Sequence, residues 1–187
     1  RFFTTVQLLC AGNDTEGLHY GVIKTPEKFW LRWKEPCGEP CEPSRFTPEL
    51  YPNELDRSIL QFFEQHRLLE FIHDFIIFDG GIKKAARPNQ YFAIKAAQPR
   101  VRSKENGIIW HSQGSGKSLT MVWLAQWIRE NVTDARVVVI TDRDELDKQI
   151  ESGFKDAGEK IRRVRSGAQL VSMLNEAEPW LICTLIH

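Results

Sequence analysis

From residue 107 onward the apolar positions change period in a regular order. Ile108, Ile109 and Trp110 form a short apolar run that predicts a strand. After a Gly/Ser-rich stretch, Leu119, Met121, Val122, Leu124, Ala125 and Ile128 recur at helical spacing until polar Glu130 and Asn131 close the pattern. Arg136 to Thr141 is near-continuous and β-branched, which predicts a strand buried on both faces of a parallel sheet. Leu146, Ile150 and Phe154 then recur at i, i+4 and i+8, behind acids whose charge suits the positive end of a helix dipole. Ser166 is placed to cap a helix running through Leu174, and Trp180 to Ile186 reads as a third strand. Strands alternating with helices predict an α/β fold with a parallel sheet and right-handed crossovers.

The first part of the chain has a different texture. Val6 to Ala11 and His19 to Ile23 read as strands around a turn at Gly12-Asn13-Asp14. Glu27 to Trp33 gathers Phe29, Trp30 and Trp33 into a predicted short aromatic helix. Residues 35 to 53 are a Pro-rich, acidic connection. Leu55 to Phe78 predicts two helices broken near His66, Gly80-Gly81 a break, and Asn89 to Ala97 a helix ended by Pro99. The expected organisation is therefore the tail of an α/β or α+β domain over 1–34, a linker with connecting helices over 35–80, and a phosphate-loop domain over 81–187. Arg1 in place of Met, and an apolar run directly before His187, give both ends the look of cuts.

Composition adds limits. Lysine plus arginine number 25 and aspartate plus glutamate 25, so no global field directs the chain to nucleic acid. The charges are uneven, however. Between Gly80 and Lys104 lie Lys83, Lys84, Arg87, Lys95, Arg100, Arg102 and Lys104 without one acid, whereas Glu35 to Asp56 is acidic and reads as a solvated face. No apolar stretch reaches the roughly 18 residues of a membrane helix, so a membrane partner is not expected. Cys37 and Cys41 have metal-like spacing but no second pair nearby, and reduced thiols of a cytoplasmic protein are the expectation.

The chemistry concentrates in Gly107 to Ser118. Gly114 and Gly116 can take backbone angles closed to other residues, so that successive N–H groups turn around phosphate oxygens at a helix N-terminus. Lys117 is the expected catalytic cation on the β- and γ-phosphates of ATP, and the Ser118 hydroxyl the expected Mg²⁺ ligand. The candidate nucleotide contacts are Gln113, Gly114, Ser115, Gly116, Lys117, Ser118 and Leu119. His111 stands where the usual pattern has its first glycine. In isolation the segment is also compatible with a plain Gly/Ser turn, but the apolar run before it and the amphipathic helix after it are the context a phosphate loop needs.

These segments together resemble the motor (R) subunit of type I restriction-modification enzymes. Gly107 to Met121, GIIWHSQGSGKSLTM, is similar to helicase motif I of that family, including the His for Gly. Val137 to Ile150, VVVITDRDELDKQI, resembles its motif Ia, and Arg87 to Ala93, RPNQYFA, its Gln-containing segment upstream of the phosphate loop. The N-terminal QLLCAGNDTEGLHYGVI and FWLRWK resemble the stretch after the nuclease core. The resemblance implies a P-loop (RecA-like) half-domain preceded by the tail of a nuclease-type domain and a helical connection. It implies ATP-dependent translocation along double-stranded DNA coupled to endonucleolytic cleavage, with methyltransferase and specificity subunits as partners. It also implies that the nuclease carboxylates lie upstream of Arg1 and the Walker B acids beyond His187, leaving residues 1–187 catalytically silent on their own.

Further roles follow from the resemblance. Gln90 has an amide that matches the donor–acceptor edge of adenine, or else faces solvent from a helix. Arg87, one turn earlier, would flank the base or a phosphate. Thr141 and Arg143 would touch the DNA backbone at the C-terminal end of a strand, where open α/β sheets place ligands, although Arg143 is equally able to pair with a neighbouring acid. Thr184 could offer its hydroxyl to a phosphate or be an ordinary buried strand threonine. Two other readings stay open: a DNA helicase of the same superfamily without a nuclease, and a P-loop kinase or signalling NTPase unrelated to DNA.

Overall fold

A computed structural model describes residues 5–36 and 53–186. The proline-rich connection over 35–53 and the Cys37/Cys41 pair fall almost wholly outside them. The chain divides into two compact units, Arg1–Ile77 with Lys83–Lys95, and Phe78–Ile82 with Ala96–His187.

In the first unit, β1 (Leu9–Asn13), β2 (Gly17–Gly21) and β3 (Leu31–Arg32) form an antiparallel sheet with β2 in the middle. The two hairpin strands lie a few residues away from the predicted runs, because Asn13 accepts the amides of Thr15 and Glu16 and so places the turn after itself. The predicted aromatic helix is one 3₁₀ turn at Glu27–Phe29, after which the chain straightens into β3. Two helices follow, α1 (Glu54–Phe62) and α2 (Gln65–Asp74), capped by Asn53 and Glu64 side chains that accept the amides of Asp56 and Arg67. The break between them precedes His66 by two residues.

What holds this unit together is an aromatic core. Tyr20, Trp33, Phe62, Phe71, Phe75 and Tyr91 are all buried, with ring centroids of neighbouring pairs 4.7–6.3 Å apart. Edge-on and tilted pairs dominate, as the ring quadrupoles favour. The Tyr20 hydroxyl donates to the Ala86 carbonyl at 2.7 Å, so the core's polar tip is satisfied.

Gly80-Gly81 is the tip of a hairpin between β4 (Ile76–Asp79) and β5 (Ile82–Ala85). Both glycines have positive φ, 59° and 79°, the combination that a two-residue turn matched to strand twist requires. The end of the predicted second helix is thus strand. α3 (Pro88–Arg102) begins at a proline in its first turn and runs past the predicted stop at Pro99. Ser103 N–H still donates to the Pro99 carbonyl at 2.9 Å, so the helix sacrifices one hydrogen bond at Pro99 and continues.

The second unit carries the parallel sheet. α4 (Lys117–Asn131) leads to β6 (Val137–Thr141), α5 (Asp144–Asp156), β7 (Arg162–Arg163), α6 (Gly167–Leu174) and β8 (Leu181–Leu185). The strand order is β6-β8-β7, all parallel, with Val137 opposite Leu181, Thr141 opposite Leu185 and Arg163 opposite Cys183. The helix predicted from the Leu146, Ile150 and Phe154 spacing and the one predicted from Ser166 through Leu174 are present as α5 and α6: Ile150 and Phe154 are buried, and the Ser166 hydroxyl caps Gln169 N–H.

Three expectations are corrected here. Ile108–Trp110 is not a strand: it pairs with no strand among the described residues, and Ile108 and Trp110 are each 90% exposed. A short apolar run becomes a strand only if a sheet edge receives it. β6 is an edge rather than a fully covered strand, with Ile140 60% exposed, while β8 takes the central, buried place. On α4 the most buried residues are Thr120, Val122, Trp123, Ala125 and Trp127, so the two indoles rather than Leu119 or Met121 supply its core face.

The first-unit core should depend on its largest fully buried member. Trp33→Ala is expected to destabilise that unit by about 3–5 kcal/mol through lost contacts and an unfilled cavity. Denaturant unfolding followed by Trp fluorescence and circular dichroism checks it, and a change under about 1 kcal/mol would contradict the assigned core.

Candidate functional site

The loop from His111 to Gly116 turns into α4 through two left-handed glycines. Gly114 has φ 77° and Gly116, the helix N-cap, φ 86°. These are angles at which a side chain is strained. A Cβ built on Gly114 would meet nothing within 4 Å, so the loop is open on that side. The Lys117 ammonium donates to the carbonyls of His111 and Ser112, each at 2.9 Å, and the Ser115 hydroxyl donates to Ser112 O at 2.7 Å. The lysine is thus folded back over the loop, held on neutral carbonyls. An anion seated in the turn offers it a stronger, charge-assisted partner. Ser118 sits half-buried in the first turn of α4, one residue beyond Lys117, and the dipole of a 15-residue helix opens at this point.

His111 needs no glycine. Non-glycine residues with positive φ among the described residues are Lys24, Lys104 and Asp134, so His111 takes an ordinary backbone conformation. Its Nδ1 is buried without a hydrogen-bond partner. The donor set and open turn fit a nucleotide polyphosphate: Gln113 to Leu119 would wrap it, Lys117 would carry the compensating charge, and Ser118 would face a bound Mg²⁺.

Gln90 does not face solvent. It is 2% exposed in the first unit, and its Oε1 accepts the Arg87 N–H at 2.8 Å, capping the start of α3. A base edge approaching this amide would compete with that cap.

At the carboxyl end of the parallel sheet, the three residues expected on DNA are displayed differently. Arg143, the N-cap of α5, is exposed and only loosely paired with Asp142 at 3.7 Å. Thr141 and Thr184 are buried. The Thr184 hydroxyl donates to the Leu185 carbonyl at 3.3 Å, and the Thr141 hydroxyl is buried without a partner. Both threonines therefore sit in the sheet rather than on its surface, because β8 is covered on both faces and Thr141 ends a strand paired with it. Arg143 is the member of the trio presented outward. Next to it a cleft of about 480 Å³ is lined by Asp144, Arg163, Arg165, Ser166, Thr184 and Ile186, among others.

Two residues that sequence reasoning missed organise this end. Asp147 has no exposed surface, and Arg163 reaches it with Nε while its terminal nitrogen reaches Asp144. Asp144 also receives Lys148 at 2.6 Å, and these two cations, Lys148 foremost, hold its carboxyl below the usual range. Burial first, then the Asp147 carboxylate, pushes the Cys183 thiol up to about 12. One signal was available: Asp147, Ile150 and Phe154 fall at i, i+3 and i+7, which puts an acid on the apolar stripe of α5.

The basic run is largely committed. Lys95 pairs with Glu70 at 2.6 Å, Arg100 with Glu105 at 3.5 Å, Lys83 donates to Val6 O and Gln7 Oε1, and Arg102 stacks over Trp127 at 5.0 Å. No helix among the described residues is long and apolar enough to cross a membrane.

Comparison with known proteins bears on these geometries. Residues 89–187 match the SWI2/SNF2 ATPase family, a span that includes the loop over 114–117 and the whole parallel sheet. A Staphylococcus aureus (strain COL) type I restriction enzyme endonuclease subunit, SauCOLORF180P, is 35% identical over 108 residues, which is 57% of this chain and 12% of that protein. A Methanocaldococcus jannaschii protein that bears a type I restriction enzyme endonuclease subunit name is 31% identical over 145 residues, 71% of this chain and 14% of its own. The Haemophilus influenzae (strain Rd) HindI endonuclease subunit is 28% identical over 145 residues, 64% of this chain and 14% of its own. The chain thus spans about one-seventh of the length of these relatives. A loop closed by two left-handed glycines, a parallel sheet and a family match over both lead to one conclusion: this chain belongs to the SWI2/SNF2 ATPase family and is similar to type I restriction enzyme endonuclease subunits.

Proposed function

We propose that this chain is the ATP-binding part of the motor subunit of a type I restriction enzyme, with residues 81–187 beginning a RecA-like motor and residues 1–34 ending a nuclease-type domain. The observation that carries the reading is the loop itself: left-handed Gly114 and Gly116 around an open turn, with Lys117 at the head of α4. The names of the relatives support the restriction context. In the full-length protein, ATP hydrolysis drives movement along double-stranded DNA and cleavage follows, within a complex of methyltransferase and specificity subunits in the cytoplasm.

Each local residue has a physical task in that cycle. Backbone amides from Gln113 to Leu119 receive the phosphate oxygens, which is sequence-independent binding at a helix N-terminus. Lys117 leaves the carbonyls of His111 and Ser112 and neutralises charge on the terminal phosphate. Ser118 is the residue that would hold a Mg²⁺ through its hydroxyl, and the ion would supply charge compensation to the polyphosphate. Gln90 and Arg87, tied to each other at the start of α3, stand as the adenine-side candidates. Arg143 supplies an outward cation for the DNA backbone, with Thr141 and Thr184 supporting it from within the sheet. Phosphate contacts of this type position a duplex without reading its bases, as a translocating motor requires.

Two measurements test the reading. Lys117→Ala in the full-length protein is expected to abolish ATP hydrolysis while leaving the fold intact, since the ammonium is exposed and makes no core contact; turnover at the wild-type rate would remove the loop from the catalytic site. Arg143→Ala is expected to lower the slope of log affinity against log salt for duplex DNA by about one, with sequence preference unchanged. An unchanged slope would take Arg143 off the DNA path.

A further inference from the structure

Arg163 has no role in the proposed reaction as stated, yet it makes the most specific polar contact at the carboxyl end of the sheet. Its guanidinium is a fork. Nε donates to Asp147, which has no exposed surface, and the terminal nitrogen donates to Asp144, the first residue of α5 and the neighbour of Arg143. Its backbone is fixed too, since Arg163 pairs in β7 opposite Cys183 of the central strand. One limb is therefore anchored in the core and the other ends on the turn that presents Arg143. Without the outer limb, the turn from Thr141 to Asp144 is held by the Ile186 N–H on the Thr141 carbonyl, the Asp147 N–H on the Arg143 carbonyl and two exposed ion pairs, Arg143–Asp142 at 3.7 Å and Lys148–Asp144 at 2.6 Å. Exposed pairs of that kind hold a side chain weakly.

We infer that Arg163 is a positioning residue: it holds the Thr141–Asp144 turn, through Asp144, in the conformation in which Arg143 meets the DNA backbone. The inference rests on the reading of that turn as a DNA contact. A planar guanidinium suits the task because it donates in two directions from one rigid plane, which a lysine ammonium on a flexible stem does not reproduce. The bridge also balances charge: two carboxylates beside a DNA-facing cation would repel the same phosphates that Arg143 attracts, and Arg163 with Lys148 offsets them.

The bridge itself is altered by charge-conserving changes, so that their effect on DNA binding does not follow from net charge. Duplex binding by the full-length protein is measured by fluorescence anisotropy across a salt series for wild type, Arg163→Lys, Asp144→Glu, Arg143→Ala and the Arg163→Lys/Arg143→Ala double variant. Binding of a fluorescent ATP analogue with Mg²⁺ serves as the control. Arg163→Lys is expected to weaken DNA binding roughly three- to tenfold and lower the salt slope by about one, with analogue binding unchanged. The double variant should bind no more weakly than Arg143→Ala alone. Wild-type DNA binding by Arg163→Lys, or losses that add in the double variant, would overturn the positioning role while leaving Arg143 on the DNA. Wild-type binding and slope for Arg143→Ala would overturn the DNA reading of the turn and this role with it. Should Arg163→Lys not fold, Asp144→Glu carries the comparison, because it retains the buried Arg163–Asp147 pair and disturbs the outer limb together with the exposed Lys148–Asp144 pair.

Discussion

A carboxylate with no exposed surface is tolerated only if another group compensates its charge. In the second unit that requirement falls on Asp147, and Arg163 meets it. Removing one partner of such a pair leaves an uncompensated buried charge and costs several kcal/mol, so the pair fixes the relative placement of the elements that carry it. Here those elements are α5 and β7. Because β7 pairs with central β8 opposite Cys183, the same contact ties the helix after β6 to the middle of the sheet. The raised thiol of Cys183 is one consequence: it lies in an apolar layer, close to a carboxylate. The other is that α5 starts in a defined place, which sets the turn at the carboxyl end of β6.

The loop from His111 to Gly116 depends on a different constraint, conformational rather than electrostatic. Gly114 and Gly116 take angles that side chains resist, and the helix begins at once with Lys117. The lysine rests on the carbonyls of His111 and Ser112, neutral partners within the same loop. His111 shows which glycine of the usual pattern is dispensable. A position whose φ is negative has no need of glycine, whereas the two positions with positive φ do.

The limits of local patterning appear where the sheet is concerned. Ile108–Trp110 and Arg136–Thr141 both look like strands for a covered parallel sheet. One lies outside any strand, with Ile108 and Trp110 each 90% exposed, and the other is an edge with Ile140 60% exposed. An apolar run states that burial is favourable. It does not state what supplies the neighbouring strand, because ladder partners come from distant sequence. The same holds for Pro99, which α3 passes at the loss of one hydrogen bond because the turns on either side persist.

What the sequence by itself determined is therefore whatever depends on a few adjacent residues. The left-handed glycines, the lysine at the helix start, the Ser166 cap and the acidic first turn of α5 were legible, because each is decided by backbone freedom or by hydrogen bonds within four residues; Gly80-Gly81 was legible as a break, but the hairpin it closes was not, since the residues up to Phe78 carry helical spacing. The family was legible too, since its motifs are contiguous strings. Tertiary structure alone decided which strand is central, which of Thr141, Arg143 and Thr184 faces outward, that Gln90 is buried against its own helix start, and that Arg163 finds Asp147 and Asp144 across a gap of 16 and 19 residues. Exposure, sheet order and charge pairing are properties of what the chain folds against, and local sequence carries that information only where an acid such as Asp147 interrupts an apolar stripe.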